Sequence, residues 1–262
     1  MSPSTQRIFF FDIDGTLLDH SVEDVPRSTW QALHMLKANG HLLYINTSRS
    51  PNEMNNIRQF LAPHLFDGYI LTGGALTVAG DQAVAVSYAD LEDTAAALCT
   101  LENEGVSVRW QTRDALYFHT PPPPDVCAIL MELFGETPPV RRWDGQPVTR
   151  LVFYGDQARI DRIQAIAPHS LALSQGFQVV NFTAAGVDKS TAMLAEAARL
   201  GLSQEQTVAF GDGYNDREML SCAGCGIAMG NGEDAAKQAA DYITTPIGED
   251  GIYQACRHFG WI

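Results

Sequence analysis

The stretch "IFFFDIDGTLLD", Ile8–Asp19, sets four bulky apolar residues directly before two aspartates one residue apart. A short unbroken apolar run marks a strand buried on both faces of a parallel sheet. Such a run usually ends at polar turn residues, so a single acid would need no explanation. Two acids at i and i+2 point to the same side of an extended chain, and Gly15 behind them lets the chain turn away at once. Alone the doublet is a weak signal, equally fitting a metal-binding pair or a solvated strand end.

The sequence around it sets the fold class. "RSTWQALHMLKANG" has Trp30, Leu33 and Leu36 at helical spacing, Ser28 to cap the start and Gly40 to stop the end. "LLYI" (Leu42–Ile45) reads as a second strand and "YILT" as a third. Between them "NEMNNIRQFLAP" is predicted as an amphipathic helix with Met54, Ile57, Phe60 and Leu61 on one side. A β-α-β-α-β order requires right-handed crossovers and a parallel α/β sheet.

From about residue 85 the rhythm changes. Helices are predicted over 90–104, 125–134 and 157–167, with strands over 106–111, 115–119, 149–154, 171–174 and 177–182. The unit helix-strand-strand occurs at both ends of this stretch, which predicts helices on one face of a mainly antiparallel sheet. "TPPPP" before residue 125 reads as a stiff turn; a recognition motif for proline-binding modules is the alternative. The α/β pattern returns from about Gly186: "DKSTAMLAEAARLG" is a helix, "TVAFGD" a strand, "DREMLSCAG" a helix, and "GIAM" and "YIT" short strands. The first and last thirds therefore build one sheet, with the middle third inserted as a lid.

Composition narrows the function. At 262 residues the chain is long enough for two domains, and 45 % apolar residues supply a real core. No run approaches the ~20 apolar residues of a membrane span, and "MSPSTQRIFFF" has no secretory signal pattern. A formal charge of −14 argues against nucleic-acid partners. Five dilute cysteines are no disulfide framework. Cys222 and Cys225 form a C-x-x-C without the second ligand pair that zinc wants. They read as small apolar residues at a helix end, with a redox pair as the alternative, and the expected compartment is the cytoplasm.

In open parallel sheets, ligands bind at the carboxyl ends of the strands. Asp12, Thr47 and Asp212 each follow a predicted strand, and Lys189 begins a predicted helix. Their convergence from distant parts of the chain says more than any one motif. The set "FFDIDGTLL", "YINTSRS", "GVDKSTAM", "GDGYND" and "GIAMGNGEDAAKQAAD" resembles the haloacid-dehalogenase-like phosphatases, in the Cof-like branch that carries a large α+β cap. The resemblance spans the whole chain. It implies an α/β fold with a Rossmann-like parallel sheet core (residues 1–84 and 184–262) and an inserted α+β cap (85–183) that sets specificity.

It further implies a hydrolase that splits a small phosphorylated metabolite, such as a sugar phosphate, through an aspartyl-phosphate. Asp12 would be the nucleophile and Asp14 the acid for the leaving alcohol and base for the attacking water. Thr47 would hold the transferring phosphoryl group with the N–H groups of Ile13 and Ser48. Arg49, Lys189 and Asn215 are the further substrate or phosphate ligands. Asp12, Asp212 and Asp216 bring three negative charges against Lys189 and Arg49, so the site alone would repel a phosphate dianion. One Mg²⁺ reverses the sign. The resemblance implies Asp12, the carbonyl of Asp14 and Asp212 as its ligands, with Asp216 or waters completing the shell. Ser48 stands where the family often has glycine, and Gly73 in "LTGGAL" where it usually has asparagine. Residues 85–183 carry seven arginines and twelve acids, which disfavours a polyanionic leaving group. A phosphotransferase or mutase with the same intermediate and a non-catalytic phospho-ligand sensor are the alternatives; a D-x-D glycosyltransferase leaves Lys189 and "GDGYND" unexplained.

Overall fold

A computed structural model describes residues 6–57, 59–61, 63–176 and 178–262. Arg58 and Ala62 of the predicted second helix, Phe177 at the start of a predicted strand, and residues 1–5 lie outside it. In chain order the elements are β1 (Ile8–Phe11), α1 (Arg27–Ala38), β2 (Leu42–Asn46), β3 (Gly68–Leu71), β4 (Leu76–Ala79), β5 (Gln82–Val86), α2 (Leu91–Asn103), β6 (Val108–Gln111), β7 (Leu116–Phe118), α3 (Pro124–Phe134), β8 (Arg150–Tyr154), α4 (Gln157–Ile166), β9 (Ser170–Ser174), β10 (Val179–Ala184), α5 (Lys189–Arg199), β11 (Thr207–Gly211), α6 (Arg217–Cys222), β12 (Cys225–Ala228), α7 (Asp234–Ala239), β13 (Tyr242–Ile243) and α8 (Gly251–His258). They fall into two compact units: Met1–Ser48, Arg58–Val84 and Asp188–Ile262 form the first, and Arg49–Ile57 with Ala85–Val187 the second.

The first unit is built on an eight-stranded sheet in the order β13-β12-β11-β1-β2-β3-β4-β5. The six strands from β13 to β3 are parallel, and β4 runs antiparallel to β3. The run Ile8–Phe11 pairs on both sides, with β2 and with β11, and all four side chains are fully buried. Ile8 and Phe10 enter a cluster with Tyr44, Met193, Ala197 and Met219 of β2, α5 and α6. Phe9 and Phe11 serve the opposite face: Phe9 meets the edge of Trp261 at 5.0 Å and Phe11 stacks on Phe210 at 5.1 Å. Burying each such ring contributes about 2–3 kcal/mol, so the strand bearing the two acids sits at the centre of the core.

The second unit carries a five-stranded sheet in the order β7-β6-β8-β10-β9, antiparallel at every pairing, as the sequence pattern predicts. Ala97, Leu98 and Leu101 of α2 and Ile160 and Ile163 of α4 pack with Trp110, Leu151, Phe153, Val180 and Phe182 in one cluster. The proline run leads into α3, with Pro124 at its first position, where the missing N–H costs nothing. The β4–β5 pair, α7 and α8 are elements that the sequence pattern did not single out.

One predicted element does not form over its described residues. Residues 52–57, the start of the helix predicted over 52–63, form a chain of turns. The local sequence opens like a helix: Ser50 Oγ accepts from Glu53 N at 3.2 Å and Glu53 Oε2 accepts from Ser50 N at 2.9 Å. Beyond that, the Arg49 guanidinium takes a main-chain carbonyl of the turn. Arg49 Nη1 donates to Glu53 O at 2.7 Å and to Asn56 Oδ1 at 3.0 Å. The buried Glu53 carboxylate is drawn to Arg109 at 2.8 Å and Arg150 at 3.2 Å, both in the second unit's sheet.

All five cysteines are free. Burial pushes the Cys225 thiol up to about 11, the reverse of the lowered value that redox pairs need. Among the described residues no helix is long and apolar enough to cross a membrane.

The Glu53 cluster makes the second unit sensitive to acid. Burial alone would raise the Glu53 carboxyl, but Arg109 and Arg150 outweigh it and hold it below the ordinary value of 4.5. A lowered folded-state value gives stability that is present above 4.5 and is lost as pH falls through the lowered value. Glu53→Gln is expected to destabilise the unit by about 3 kcal/mol at neutral pH. It should also remove part of the acid-dependent loss, which urea titrations at neutral and acidic pH would measure.

Candidate active site

The parallel sheet brings the ends of β1, β2 and β11 to one edge. Asp12 follows β1, Thr47 follows β2 and Asp212 follows β11. Lys189 arrives from another direction, as the first residue of α5. The Asp188 side chain caps that helix by accepting from Ser190 N and Thr191 N at 2.8 Å, and Thr191 Oγ1 accepts in return from Asp188 N at 3.0 Å. A cap of this kind contributes about 1 kcal/mol and fixes where the helix begins. Asn46 Nδ2 donates to Lys189 O at 2.9 Å, pinning the lysine's main chain to the end of β2. The turn after β3 packs as tightly: a Cβ on Gly74 would lie 2.2 Å from Asp188 O.

A lysine at a helix N-terminus opposes the helix dipole, and this one is only 3 % exposed. Its compensation is two carboxylates. Lys189 Nζ donates to Asp12 Oδ1 at 2.6 Å and to Asp216 Oδ1 at 2.7 Å. Burial would lower the ammonium's pKa, but Asp12 and Asp216 reverse this and hold it above its ordinary value. Asp216 Oδ2 accepts from Asp212 N and Gly213 N, both at 3.0 Å, so this residue ties the lysine to the turn after β11. Asp212 Oδ1 accepts from Thr16 Oγ1 at 2.7 Å, and its carbonyl accepts from Glu233 N at 2.7 Å.

Three carboxylates around one ammonium leave an excess of negative charge. Burial raises the Asp12 carboxyl well above its ordinary range despite Lys189, with Asp216, Asp212 and Asp14 adding repulsion. Burial, reinforced by Asp216, pushes Asp212 up to about 7. Oxygens of Asp12, Asp212 and Asp216 lie within 4.8 Å of one another. An all-oxygen, electron-rich set that cannot hold its charges comfortably is what a hard divalent cation stabilises, so these residues fit a metal.

Asp14 lies on a loop that leaves the sheet at once. Ile13 O accepts from Thr16, Leu17 and Leu18 N, and Gly15 N donates to Leu18 O at 3.0 Å. Gly15 has φ +86°, and a Cβ there would lie 2.2 Å from Asp212 Oδ2. Both the turn and the approach of the acid therefore require glycine. Asn231 closes the loop from the far side, donating to Gly15 O at 2.8 Å and accepting from Ile247 N at 2.8 Å.

The other expected ligands divide. Thr47 is buried; its N–H donates to Ile70 O at 2.9 Å and its carbonyl accepts from Gly73 N at 3.0 Å. Ser48 Oγ accepts from Asn215 Nδ2 at 3.0 Å, so these two residues meet. Arg49 belongs with the second unit, where it meets Glu53 and Asn56 and lies 5.0 Å from the Phe134 ring. Asn46, Thr16 and Asn231 are contributors that the sequence reading assigned no role. All three stood inside the motifs quoted for the resemblance, but a lone hydroxyl or amide gives no sign of which distant group it will meet.

Residues 9–256 match the family of haloacid dehalogenase-like hydrolases. An HMP-PP phosphatase of Cronobacter sakazakii is 30 % identical over 244 residues, covering 86 % of this chain and 84 % of that protein. The 5-amino-6-(5-phospho-D-ribitylamino)uracil phosphatase YitU of Bacillus subtilis is 27 % identical over 260 residues, 95 % of each chain. Among solved structures, the subclass IIB sugar phosphatase BT4131 superposes with a TM-score of 0.90 at 30 % identity, covering 98 % of this chain and all of that one. The sheet order, the two units and a match that runs almost end to end agree: the chain belongs to the haloacid dehalogenase-like hydrolases.

Proposed function

We propose that the chain is a Mg²⁺-dependent phosphatase that hydrolyses a small phosphorylated metabolite, such as a sugar phosphate, through an aspartyl-phosphate on Asp12. The enzyme class, phosphoric monoester hydrolase, follows from the family and from relatives named as phosphatases. The observation that carries the residue roles is Lys189 bridging Asp12 and Asp216 at the sheet edge.

Asp12 attacks phosphorus through one carboxylate oxygen as the bond to the leaving oxygen breaks. Asp14 gives its proton to that oxygen, and the alcohol departs. Water then attacks phosphorus as Asp14 takes its proton, the bond from phosphorus to the Asp12 oxygen breaks, and phosphate leaves with the Asp12 carboxylate restored. Lys189 holds Asp12 in place and offsets charge on the phosphoryl oxygens. Thr47 and the N–H groups of Ile13 and Ser48 hold that group, and Asn215 supports it through Ser48. Bound Mg²⁺ would add positive charge to the phosphoryl group, held by Asp12, the carbonyl of Asp14 and Asp212. Asp216 stands behind these ligands, since its oxygens already serve Lys189 and two N–H groups.

The test is phosphate release from p-nitrophenyl phosphate and from a panel of phosphorylated metabolites. Activity should require Mg²⁺ and vanish with chelator. Asp12→Asn should lower turnover by ~1,000-fold or more; wild-type turnover in that variant overturns the nucleophile assignment.

Lys189→Met separates charge balance from chemistry. It leaves two buried carboxylates without their cation, so stability should fall by about 3 kcal/mol. Saturating Mg²⁺ should restore part of that loss without restoring turnover, as thermal unfolding with and without the ion would show.

A further inference from the structure

We infer that His20 is a positioning residue for Asp14, holding the carboxyl group so that its proton faces the leaving oxygen. This deepens the proposed function and rests on Asp14 being the acid. His20 Nε2 lies 2.8 Å from Asp14 Oδ1, on the same loop six residues on. With the ring proton on Nε2, the N–H donates to Oδ1, and the carboxyl proton is carried on Oδ2.

The loop is built to place that ring. Asp14 and Leu18 pair as a parallel bridge, and Asp19 and Asp24 as an antiparallel one. Asp19 N donates to Asp24 O at 3.0 Å and Asp24 N to Asp19 O at 3.3 Å, closing a small hairpin. Inside it, Asp19 Oδ1 accepts from Ser21 N at 2.9 Å and from Ser21 Oγ at 2.7 Å. His20, between these two residues, therefore has its backbone set on both sides, and its ring is directed back toward Asp14. The two side chains are 49 % and 37 % exposed, so the pair adds little to stability. Rotation of Asp14 is what it restrains, and proton transfer depends on that orientation.

A positioning role has a signature that a structural one lacks. p-Nitrophenolate departs as a stabilised anion and needs little help from an acid, whereas an alkoxide needs its proton. The experiment compares kcat/KM for p-nitrophenyl phosphate and for the best alkyl phosphate of the panel, at saturating Mg²⁺. His20→Ala should lower the alkyl value about tenfold and the aryl value less than about twofold. His20→Gln, whose amide N–H can replace the ring donor, should recover most of the alkyl loss. Equal losses on both substrates, or no loss on the alkyl ester, overturn the inference. Asp14→Asn is measured beside them. If it shows a large alkyl bias and His20→Ala does not, only the role of His20 fails. If Asp14→Asn shows no bias, the acid assignment fails and takes this inference with it.

Discussion

The buried Lys189 ammonium, shared between Asp12 and Asp216, is the contact on which the rest of the site depends. Three charges out of water are tolerable only when each is paired and hydrogen-bonded. The residues come from the end of β1, the first position of α5 and the turn after β11. For them to meet within hydrogen-bond distance, the sheet order, the Asp188 cap and the Gly74 approach must all be right together. The global fold and the local chemistry are thus a single constraint.

The carboxylates differ because their surroundings differ. Asp12 is held in the core edge by a lysine, and Asp212 by a threonine hydroxyl. Asp14, one residue beyond the buried Ile13, is 37 % exposed on a loop that folds over its own Ile13 carbonyl. The two acids of the D-x-D pair are neighbours in sequence but belong to different mechanical parts: one is fixed to the sheet, the other to the loop. Under the proposed function, this division would let Asp12 stay in place while Asp14 exchanges protons with a departing alcohol and an arriving water.

Much of the fold was legible because it is periodic. The apolar runs at 8–11 and 42–45 could only be buried strands, and the insert's helix-strand-strand units announced an antiparallel sheet. The failure at residues 52–57 has a tertiary cause: the same Ser50–Glu53 exchange that opens a helix here ends in two arginines of a sheet more than fifty residues away. Arg49 takes part in the same turn, through Glu53 O and Asn56 Oδ1. At the sheet edge, strand ends made Asp12, Thr47 and Asp212 candidates from sequence alone. The partners that orient them were not readable. Thr16, Asn46, Asn231 and His20 act through contacts made only after the chain returns from elsewhere, and Asp216 reveals its double use of Lys189 and two N–H groups only in three dimensions.

The division of the chain also bears on how it could be cut. The second unit is not a simple insertion, because it includes Arg49–Ile57 as well as Ala85–Val187. Splicing out the longer segment to obtain a minimal core would strand the shorter one, with the partners of Glu53 gone and a turn-rich loop left directly beyond Ser48. A trimmed version would therefore need residues 49–57 redesigned as a linker in their own right. The same discontinuity makes the second unit a poor candidate for transplantation between relatives, since a graft would have to carry both pieces to bring its ionic core along.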